Sequence, residues 1–227
     1  MRQDAVTLQR FYASPLGSAA ARILSAKLVD LWGEANNLSV LGLGYAIPVL
    51  DAFGDQPGRS VAAVPFDHGP VRWDPTGRGN ATVSVGDLRL PFPDGQFDRV
   101  IVLHGLEETG DPRAYLREIW RVMAPEGRIV LAVSNRAGLW SRATRTPFGQ
   151  GRPWSRSQLM NLLSIGLFAA AEGWDAIGRI ITPGLGGVVL VEAVKRLYAE
   201  PGGGAVAPVA ERVRIAKPAA TSRREKH

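Results

Sequence analysis

The fold is decided by residues 97–131, which read FDRVIVLHGLEETGDPRAYLREIWRVMAPEGRIVL. Within this stretch, Val100–Leu103 form an uninterrupted apolar run, which is typical of a strand covered on both faces of a parallel sheet. Residues 112–123 repeat apolar positions at helical spacing, and Asp111 stands where it can cap the first turn. A second apolar run follows over residues 128–133. The pattern predicts a strand, a helix and a strand in succession.

The same alternation continues on either side of this unit. Short apolar runs predict further strands, and the segments between them predict helices. We expect strands at residues 38–43, 61–64 and 82–85, a closing strand pair at residues 177–181 and 187–193, a short helix that includes residues 49–53, and a helix from Ser155 to about residue 165 that stops at Gly166. The sequence therefore predicts an α/β fold with a mostly parallel, seven-stranded sheet and helices on both faces.

Residues 4–32 precede the sheet and show a helical pattern with one apolar face. Residues 11–17 interrupt it, and Ser14 followed by Pro15 predicts the start of a second helix. We expect this segment to pack on the domain. The alternative is a lid over a ligand.

The composition excludes several kinds of site. The 227 residues include no cysteine, which excludes disulfides and thiolate nucleophiles. The three histidines are far apart, so no metal site is expected. No targeting signal is present and no apolar run is long enough to span a membrane, so we expect a soluble protein of the cytoplasm.

The positive charge is concentrated at the end of the chain. The net charge is +6, and residues 201–227 hold six basic and two acidic residues. Such a segment, without periodic apolar positions, is typical of a disordered tail, so nucleic acid is not the expected partner. We expect a helical segment over residues 1–35, the main domain over residues 36–199 and a disordered basic tail over residues 200–227.

Residues 97–131, with DLRLPFPD before them at residues 87–94, closely resemble the methyltransferase type 11 group of class I S-adenosylmethionine (SAM) methyltransferases. In that group the corresponding segments read much like FDxV, HxLEH and LRExxRVLxPGGxL. The resemblance covers residues 36–193. It implies a Rossmann-like fold that binds SAM at the carboxyl edge of the sheet, over the glycine loop of the first strand.

The glycine loop departs from the group's pattern VLDxGxGxG and reads VLGLGYAIP at residues 40–48. Gly44 matches the first glycine. Gly42 replaces the acid, Ala46 replaces the second glycine and Pro48 replaces the third. The resemblance implies that Gly42, Gly44 and Ala46 lie against SAM, in a loop that is bulkier than the group's and lacks its carboxylate.

Further cofactor contacts are implied at the ends of the next strands. Pro65 stands where the group usually has an acid that holds the ribose hydroxyls, and Asp67 is the alternative ribose contact. Asp87 matches the acid that accepts a hydrogen bond from the adenine amino group, and Leu88 forms a hydrophobic wall. His104, at the end of the fourth strand, is the candidate catalytic base or acceptor-positioning residue. A capping role for Asp87 and a structural role for His104 are the alternatives.

A loop with the sequence TPFGQGRPWS follows at residues 146–155, also at the binding edge of the predicted sheet. One interpretation is that it holds an acidic substrate or the acidic surface of a partner, because arginines lie in and near it (Arg142, Arg145 and Arg152). The other is a solvated loop anchored by Phe148 and Trp154.

The expected function is methyl transfer from SAM to an unidentified small-molecule or protein acceptor. Such a transfer depends mainly on alignment of the acceptor, so it needs neither a catalytic triad nor a metal. The alternative is a catalytically degenerate protein of the same fold that acts as a binding or scaffold partner, with another protein or as a homodimer. The altered glycine loop and Pro65 favour the alternative, whereas Asp87 and His104 favour the enzyme.

Overall fold

The computed structural model of the chain describes residues 3–33, 35, 37–53, 59–77, 79–136, 138, 146–165, 168–170 and 187–195. Within it, Met1–Leu197 form one compact unit. The predicted strand at residues 177–181, the helix stop at Gly166 and the basic tail at residues 200–227 lie outside the described residues.

In the described part of the chain, seven strands form one sheet. In chain order they are β1 (Ser39–Gly44), β2 (Arg59–Pro65), β3 (Thr82–Val85), β4 (Phe97–Leu103), β5 (Met123–Ser134), β6 (Phe168–Ala170) and β7 (Val188–Lys195). The order across the sheet is β3-β2-β1-β4-β5-β7-β6. The pairs among β1 to β5 are parallel, and β7 runs antiparallel to β5 and β6. The predicted α/β class with a mostly parallel sheet is confirmed.

The direction of strand addition reverses between β1 and β4. From β1 the chain builds outward through β2 and β3, and then crosses back to place β4 on the other side of β1. Gly44, at the end of β1, lies opposite Leu103, at the end of β4. In open α/β sheets the crevice at this reversal, beyond the carboxyl ends of the strands, is where ligands bind.

The helices cover the two faces of the sheet with separate apolar clusters. One cluster contains buried residues of α1 (Ala5–Ala13), α2 (Pro15–Trp32) and α3 (Ile47–Leu50). The other contains those of α4 (Pro112–Val122) and α5 (Arg156–Ile165). Successive residues of β4 contribute to opposite clusters, as the alternation of side chains along a strand requires. The N-terminal helices thus belong to the core of the domain.

Side-chain caps fix the helix starts that the sequence predicted. The Ser14 hydroxyl accepts a hydrogen bond from the Gly17 amide at 3.2 Å, and the Ser14 amide also ends α1 by donating to the Phe11 carbonyl. A Cβ at Gly17 would overlap the Phe11 carbonyl and lie 2.7 Å from the Tyr12 Cα, so the glycine lets the two helices meet closely. Asp111 caps α4 by accepting two backbone N–H bonds.

The described part of the crossover from β1 to β2, residues 45–53, begins with a short helix. α3 has four residues, and its N-cap residue, Ala46, offers no side-chain hydrogen bond. Pro48 lies in its first turn, and a 3-10 turn at Asp51–Phe53 follows.

Two strands differ from the prediction. β5 begins at Met123 rather than at residue 128, because Met123 pairs with Phe97 before the register shifts to Arg99 opposite Arg128. β6 directly follows α5 at residues 168–170, where no strand was predicted. Among the residues that the structure describes, no helix has the length and apolar character needed to cross a membrane.

Candidate functional site

The centre of the carboxyl edge is the contact between the ends of β1 and β4. Gly44 has a φ of +78°, and a Cβ there would overlap the Leu103 carbonyl oxygen and lie 2.8 Å from the Gly105 amide nitrogen. The Tyr45 amide donates to the same carbonyl at 2.7 Å. Gly44 is therefore needed both for its left-handed backbone and for this close approach.

The other two predicted residues of the glycine loop are buried against α3. A Cβ at Gly42 would overlap Leu50 Cδ1 and lie 2.9 Å from Ala46 Cβ. Ala46 itself is buried. The space beside Gly42, where the methyltransferase group carries an acid, is thus filled by Leu50, and these contacts give Gly42 a packing role.

The predicted adenine and ribose contacts lie at the ends of β2 and β3. Pro65 pairs with Val85, so the residues that follow them share one edge of the sheet. Asp87 is partly buried, Leu88 is 53% exposed, and Asp67 is exposed in a short 3-10 turn. The structure therefore brings the three residues to one edge of the sheet, and the buried glycine loop lies at the same edge because β1 runs parallel to β2.

Sequence reasoning missed Phe66, the first residue beyond β2. Its side chain is 65% exposed, and Leu88 is the exposed apolar residue beyond the neighbouring strand. The signal that could have identified it is a large aromatic residue directly after a buried strand at the predicted binding edge.

Helix α1 covers the end of β4. The Tyr12 hydroxyl and His104 Nε2 are joined by a buried hydrogen bond of 2.8 Å. His104 is 2% exposed, and its backbone has a φ of 54°, a conformation that is uncommon for a residue other than glycine. The predicted catalytic histidine thus lies at the expected strand end, enclosed by the N-terminal helix.

Aromatic rings surround this hydrogen bond. The Tyr12 ring stacks on the Tyr45 ring with centroids 6.1 Å apart and an interplanar angle of 20°. Phe148, from the loop after β5, lies 4.7 Å from the His104 ring. Phe11 contacts the rings of Tyr12 and Phe148 edge-on. These five rings, of Phe11, Tyr12, Tyr45, His104 and Phe148, are called the aromatic cluster below.

Two neighbouring carboxylates serve different partners beside the cluster. Glu107 is buried, and its Oε1 accepts a hydrogen bond of 3.0 Å from the Ser134 amide at the end of β5. Glu107 Oε2 has no hydrogen-bond partner among the described residues. Glu108 instead contacts His68 Nε2 at 2.9 Å and accepts a bond from the Gln3 amide. The two acids therefore form no dyad.

Burial sets the protonation of these groups. It lowers the pKa of His104 to about 3, with the nearby His68 adding to the effect, so His104 is neutral at pH 7. It raises the pKa of Glu107 to about 7, against the hydrogen bonds from Ser134. Burial also raises the pKa of the Tyr12 phenol. Glu107, which sequence reasoning assigned no role, thus has a pKa close to neutral pH.

A cleft of about 860 Å³ lies beside the cluster, between the N-terminal helices and the first crossover. Both Tyr12 and Tyr45 line it, together with residues of α2, of α3 and of the segment after β2, including Arg22, Ile47, Pro48, Asp51 and Arg72. None of the cofactor residues predicted from the sequence is among its lining residues. The cleft therefore gives access to the aromatic cluster from the side of α3.

The loop at residues 146–155 is anchored to the same region. The Arg152 amide donates to the Glu107 carbonyl at 2.9 Å, and the Trp154 amide donates to the Ser134 carbonyl at 3.0 Å. The Arg152 guanidinium lies over the Trp154 ring, 5.0 Å from its centroid. Phe148 and Trp154 are buried, as an anchored loop requires. Arg142 and Arg145 lie outside the described residues.

Within the described part of the chain, no group of three or more histidine, aspartate or glutamate side chains could hold a metal ion.

Comparison with known proteins confirms the resemblance. Residues 41–131 match the family of the methyltransferase domain. A demethylmenaquinone methyltransferase of Deinococcus radiodurans is 28% identical over 103 residues, which are 45% of this chain and 36% of that protein. The chain thus matches about a third of the length of this curated relative.

Solved structures agree on the fold. A SAM-dependent methyltransferase from Aquifex aeolicus superimposes with a TM-score of 0.59 at 14% identity, covering 86% of this chain and all of that one. The 1,6-didemethyltoxoflavin-N1-methyltransferase of Burkholderia thailandensis, solved with S-adenosylhomocysteine, gives a TM-score of 0.57 at 21% identity, covering 78% and 79% of the two chains. The domain has the class I methyltransferase fold.

Proposed function

We propose that this chain with the class I methyltransferase fold binds SAM across the ends of β1, β2 and β3 and transfers a methyl group to an acceptor placed beside His104. The observation that carries the proposal is the set of buried polar groups at the strand reversal, above all Glu107 Oε2. Buried polar atoms without partners are costly, and at a ligand-binding edge they point to a function. When bound, SAM supplies an electrophilic methyl group.

The residues at the ends of β2 and β3 fit the adenine end of SAM. Phe66 and Leu88 leave large apolar surfaces exposed at neighbouring strand ends, which suits a flat base between them. Asp87, at the same edge, is the acceptor for the adenine amino group. This arrangement supports the cofactor placement independently of the glycine loop.

The ribose end fits less well. Pro65 has neither a carboxylate nor an N–H to offer a diol. A charge-assisted contact of this kind contributes about 1.5–3 kcal/mol, so its loss weakens binding about 10- to 100-fold. Asp67, exposed in the turn after Pro65, is the residue that can take over the contact. We therefore propose a weak SAM site with a normal adenine end.

Glu107 and His104 take different roles in this proposal. A carboxyl group with a pKa of about 7 can accept a proton from the acceptor at neutral pH, whereas a histidine with a pKa of about 3 is a poor base. His104 therefore positions the acceptor through Nε2. The acceptor is a small molecule or a protein side chain; the acceptor named for the relatives, demethylmenaquinone, is the first to test.

The test is calorimetric titration with SAM and S-adenosylhomocysteine, followed by transfer of labelled methyl from SAM to reduced demethylmenaquinone. We expect binding in the micromolar to millimolar range that is weakened more by Asp87→Ala than by Asp67→Ala. Asp74→Ala, in the loop between β2 and β3, is the matched control and should leave binding unchanged. No heat up to millimolar SAM with folded protein would refute the proposal.

A second candidate function is a scaffold built on a methyltransferase fold that has lost its cofactor. The observation in its favour is that Leu50, the last residue of the four-residue helix α3, fills the space beside Gly42. In that case a partner protein, or a second copy of the chain, would bind without SAM. Absence of SAM binding by the wild type and by Pro65→Asp together would support this candidate.

A further inference from the structure

The side chain of Tyr12 occupies the space before His104 in the manner of a bound ligand. We infer that the aromatic cluster is a binding site for a ring that carries a hydroxyl group, with Tyr12 holding the place of that ligand in the closed structure. The inference rests on the proposed function only where it identifies this ligand with the methyl acceptor.

The rings of the cluster define a flat slot. Tyr45 stacks nearly parallel to the Tyr12 ring, and the His104 ring is inclined to it at 59° with centroids 5.8 Å apart. Phe148 closes the far side of His104. Stacked and edge-on rings at 4.5–7 Å are the favoured geometry for aromatic pairs, so any ring that replaces Tyr12 finds the same partners.

The hydrogen-bonding partner in the slot selects a hydroxyl group. A hydroxyl both donates and accepts, so it satisfies His104 Nε2 in either neutral tautomer. The surroundings select a neutral ligand, since His104 and Tyr12 are both buried and Glu107 lies close enough to act on the Tyr12 phenol. A hydroxylated aromatic ring meets these conditions, and a carboxylate does not.

The neighbouring cleft shows how a larger ring can enter. Tyr12 and Tyr45 line both the slot and the cleft of about 860 Å³, so the two spaces are continuous at these side chains. In the structure, the single ring of Tyr12 fills the slot. A fused or substituted ring system would extend from the slot into the cleft once Tyr12 withdraws.

The test uses 2-naphthol, with naphthalene as the ligand that lacks the hydroxyl. The chain has three histidines, so the imidazole NMR signals can be assigned by single substitutions. We expect 2-naphthol to shift the His104 Nε2 signal. In Tyr12→Phe the competing hydroxyl is gone, and we expect calorimetry to show about three- to tenfold tighter binding of 2-naphthol. The affinity for naphthalene should increase by a similar factor, because both ligands displace the same side chain.

Two further variants complete the test. Tyr115→Phe removes a phenol hydroxyl that belongs to the opposite core, and it should leave 2-naphthol affinity unchanged. His104→Asn, which tolerates the left-handed backbone, should abolish the preference for 2-naphthol over naphthalene. The inference is overturned if Tyr12→Phe, folded by circular dichroism, binds 2-naphthol no more tightly than Tyr115→Phe does. It is equally overturned if naphthalene binds the wild type as well as 2-naphthol does.

These outcomes are separable from the proposed function. SAM is titrated in a different experiment, and its site involves Asp87 and Phe66 rather than the aromatic cluster. Binding of 2-naphthol without SAM binding would leave the slot established and the methyl transfer refuted. SAM binding with no effect of 2-naphthol would refute the slot alone.

Discussion

The region of the first three strands and the β4–α4–β5 unit differ in how long their helices are and how well the helix ends are capped. In the second region α4 has 11 residues, is capped by Asp111 at its start, and is closed at its end by the Lys195 ammonium, which donates to the Trp120 and Met123 carbonyls. In the first region α3 has four residues and no side-chain cap. The β4–α4–β5 unit therefore keeps the sequence pattern of the methyltransferase type 11 group, and the region proposed to hold the cofactor departs from it. The residues that identify the fold therefore differ from the residues that would indicate the activity.

The largest effect is expected at the junction of the two regions. Gly44→Ala forces a Cβ into the Leu103 carbonyl and a non-glycine residue into a left-handed backbone, so we expect a loss of roughly 4 kcal/mol in the free energy of unfolding. Gly110→Ala is the control, because a Cβ there meets nothing within 4 Å, and it should cost less than about 0.5 kcal/mol. Urea denaturation measures both. Equal stability of the two variants would contradict the close contact between β1 and β4.

The next largest effect is expected at Glu107, which follows the carboxyl end of β4. The pKa of Glu107 is raised to about 7 in the folded protein, so its contribution to stability is fully present below the ordinary pKa of 4.5 and is lost as pH rises to about 7. A shift of this size corresponds to about 3 kcal/mol. We expect the free energy of unfolding of the wild type, measured by urea denaturation relative to that of Glu107→Gln, to fall by that much between pH 4 and pH 8, because the contribution of His104 is common to both proteins. His104, with a pKa lowered to about 3, acts in the opposite direction, since its contribution is lost as pH falls below 6.5.

A smaller loss is expected from the polar network that supports α4. Arg121 donates to the Glu118 carboxylate and to the Leu90 and Phe92 carbonyls. Arg121→Met should therefore cost about 2 kcal/mol, because it leaves those acceptors without their donor. Arg117→Met, an exposed substitution on the same helix, should change stability by less than about 0.5 kcal/mol. If Arg121→Met and Arg117→Met give the same thermal unfolding curve, the hydrogen bonds of Arg121 do not stabilise this region.

The smallest effect is expected from a substitution that restores the methyltransferase group's sequence pattern at the end of β2. Pro65→Asp supplies a carboxylate for the ribose hydroxyls, and we expect SAM to bind about tenfold more tightly, equivalent to about 1.4 kcal/mol. Calorimetry gives the dissociation constant. Val64→Ala, one residue earlier in β2, serves as the control for a general change at this strand end. No gain in Pro65→Asp, together with no loss of SAM affinity in Asp67→Ala, would place the lesion in the glycine loop, where Leu50 fills the space beside Gly42.

The difference between the two regions also explains what sequence could predict. Hydrophobic periodicity and caps are local, and they gave α4, the Ser14–Pro15 junction and the main strands close to their observed bounds. β6 was missed because its three residues continue an apolar run that began in a helix. Periodicity alone cannot tell a strand from the end of a buried helix.

The site was less predictable, because its contacts join distant positions. The sequence placed His104 at the end of β4, but the hydrogen bond from Tyr12 crosses 92 residues and depends on how α1 packs. Glu107 was passed over because its environment is set by Ser134 in the next strand. The cofactor roles of all six predicted residues are still predictions, for which the SAM titrations are the test; they are Gly42, Gly44, Ala46, Asp67, Asp87 and Leu88.

The tight junction at Ser14 and Gly17 has a mechanical consequence for access to His104. Tyr12 lies two residues from this pivot, about 3 Å along the helix axis, whereas Gln3, just before the start of α1, lies about 16 Å away. A swing of α1 would carry Gln3 far and Tyr12 hardly at all, so the lever arm is too short to clear the slot. Release of His104 therefore needs a local change at Tyr12, either rotation of its side chain or unwinding of the last turn of α1. Local motion at the end of the helix that carries Tyr12, rather than movement of the whole helix, would set how often the slot is open.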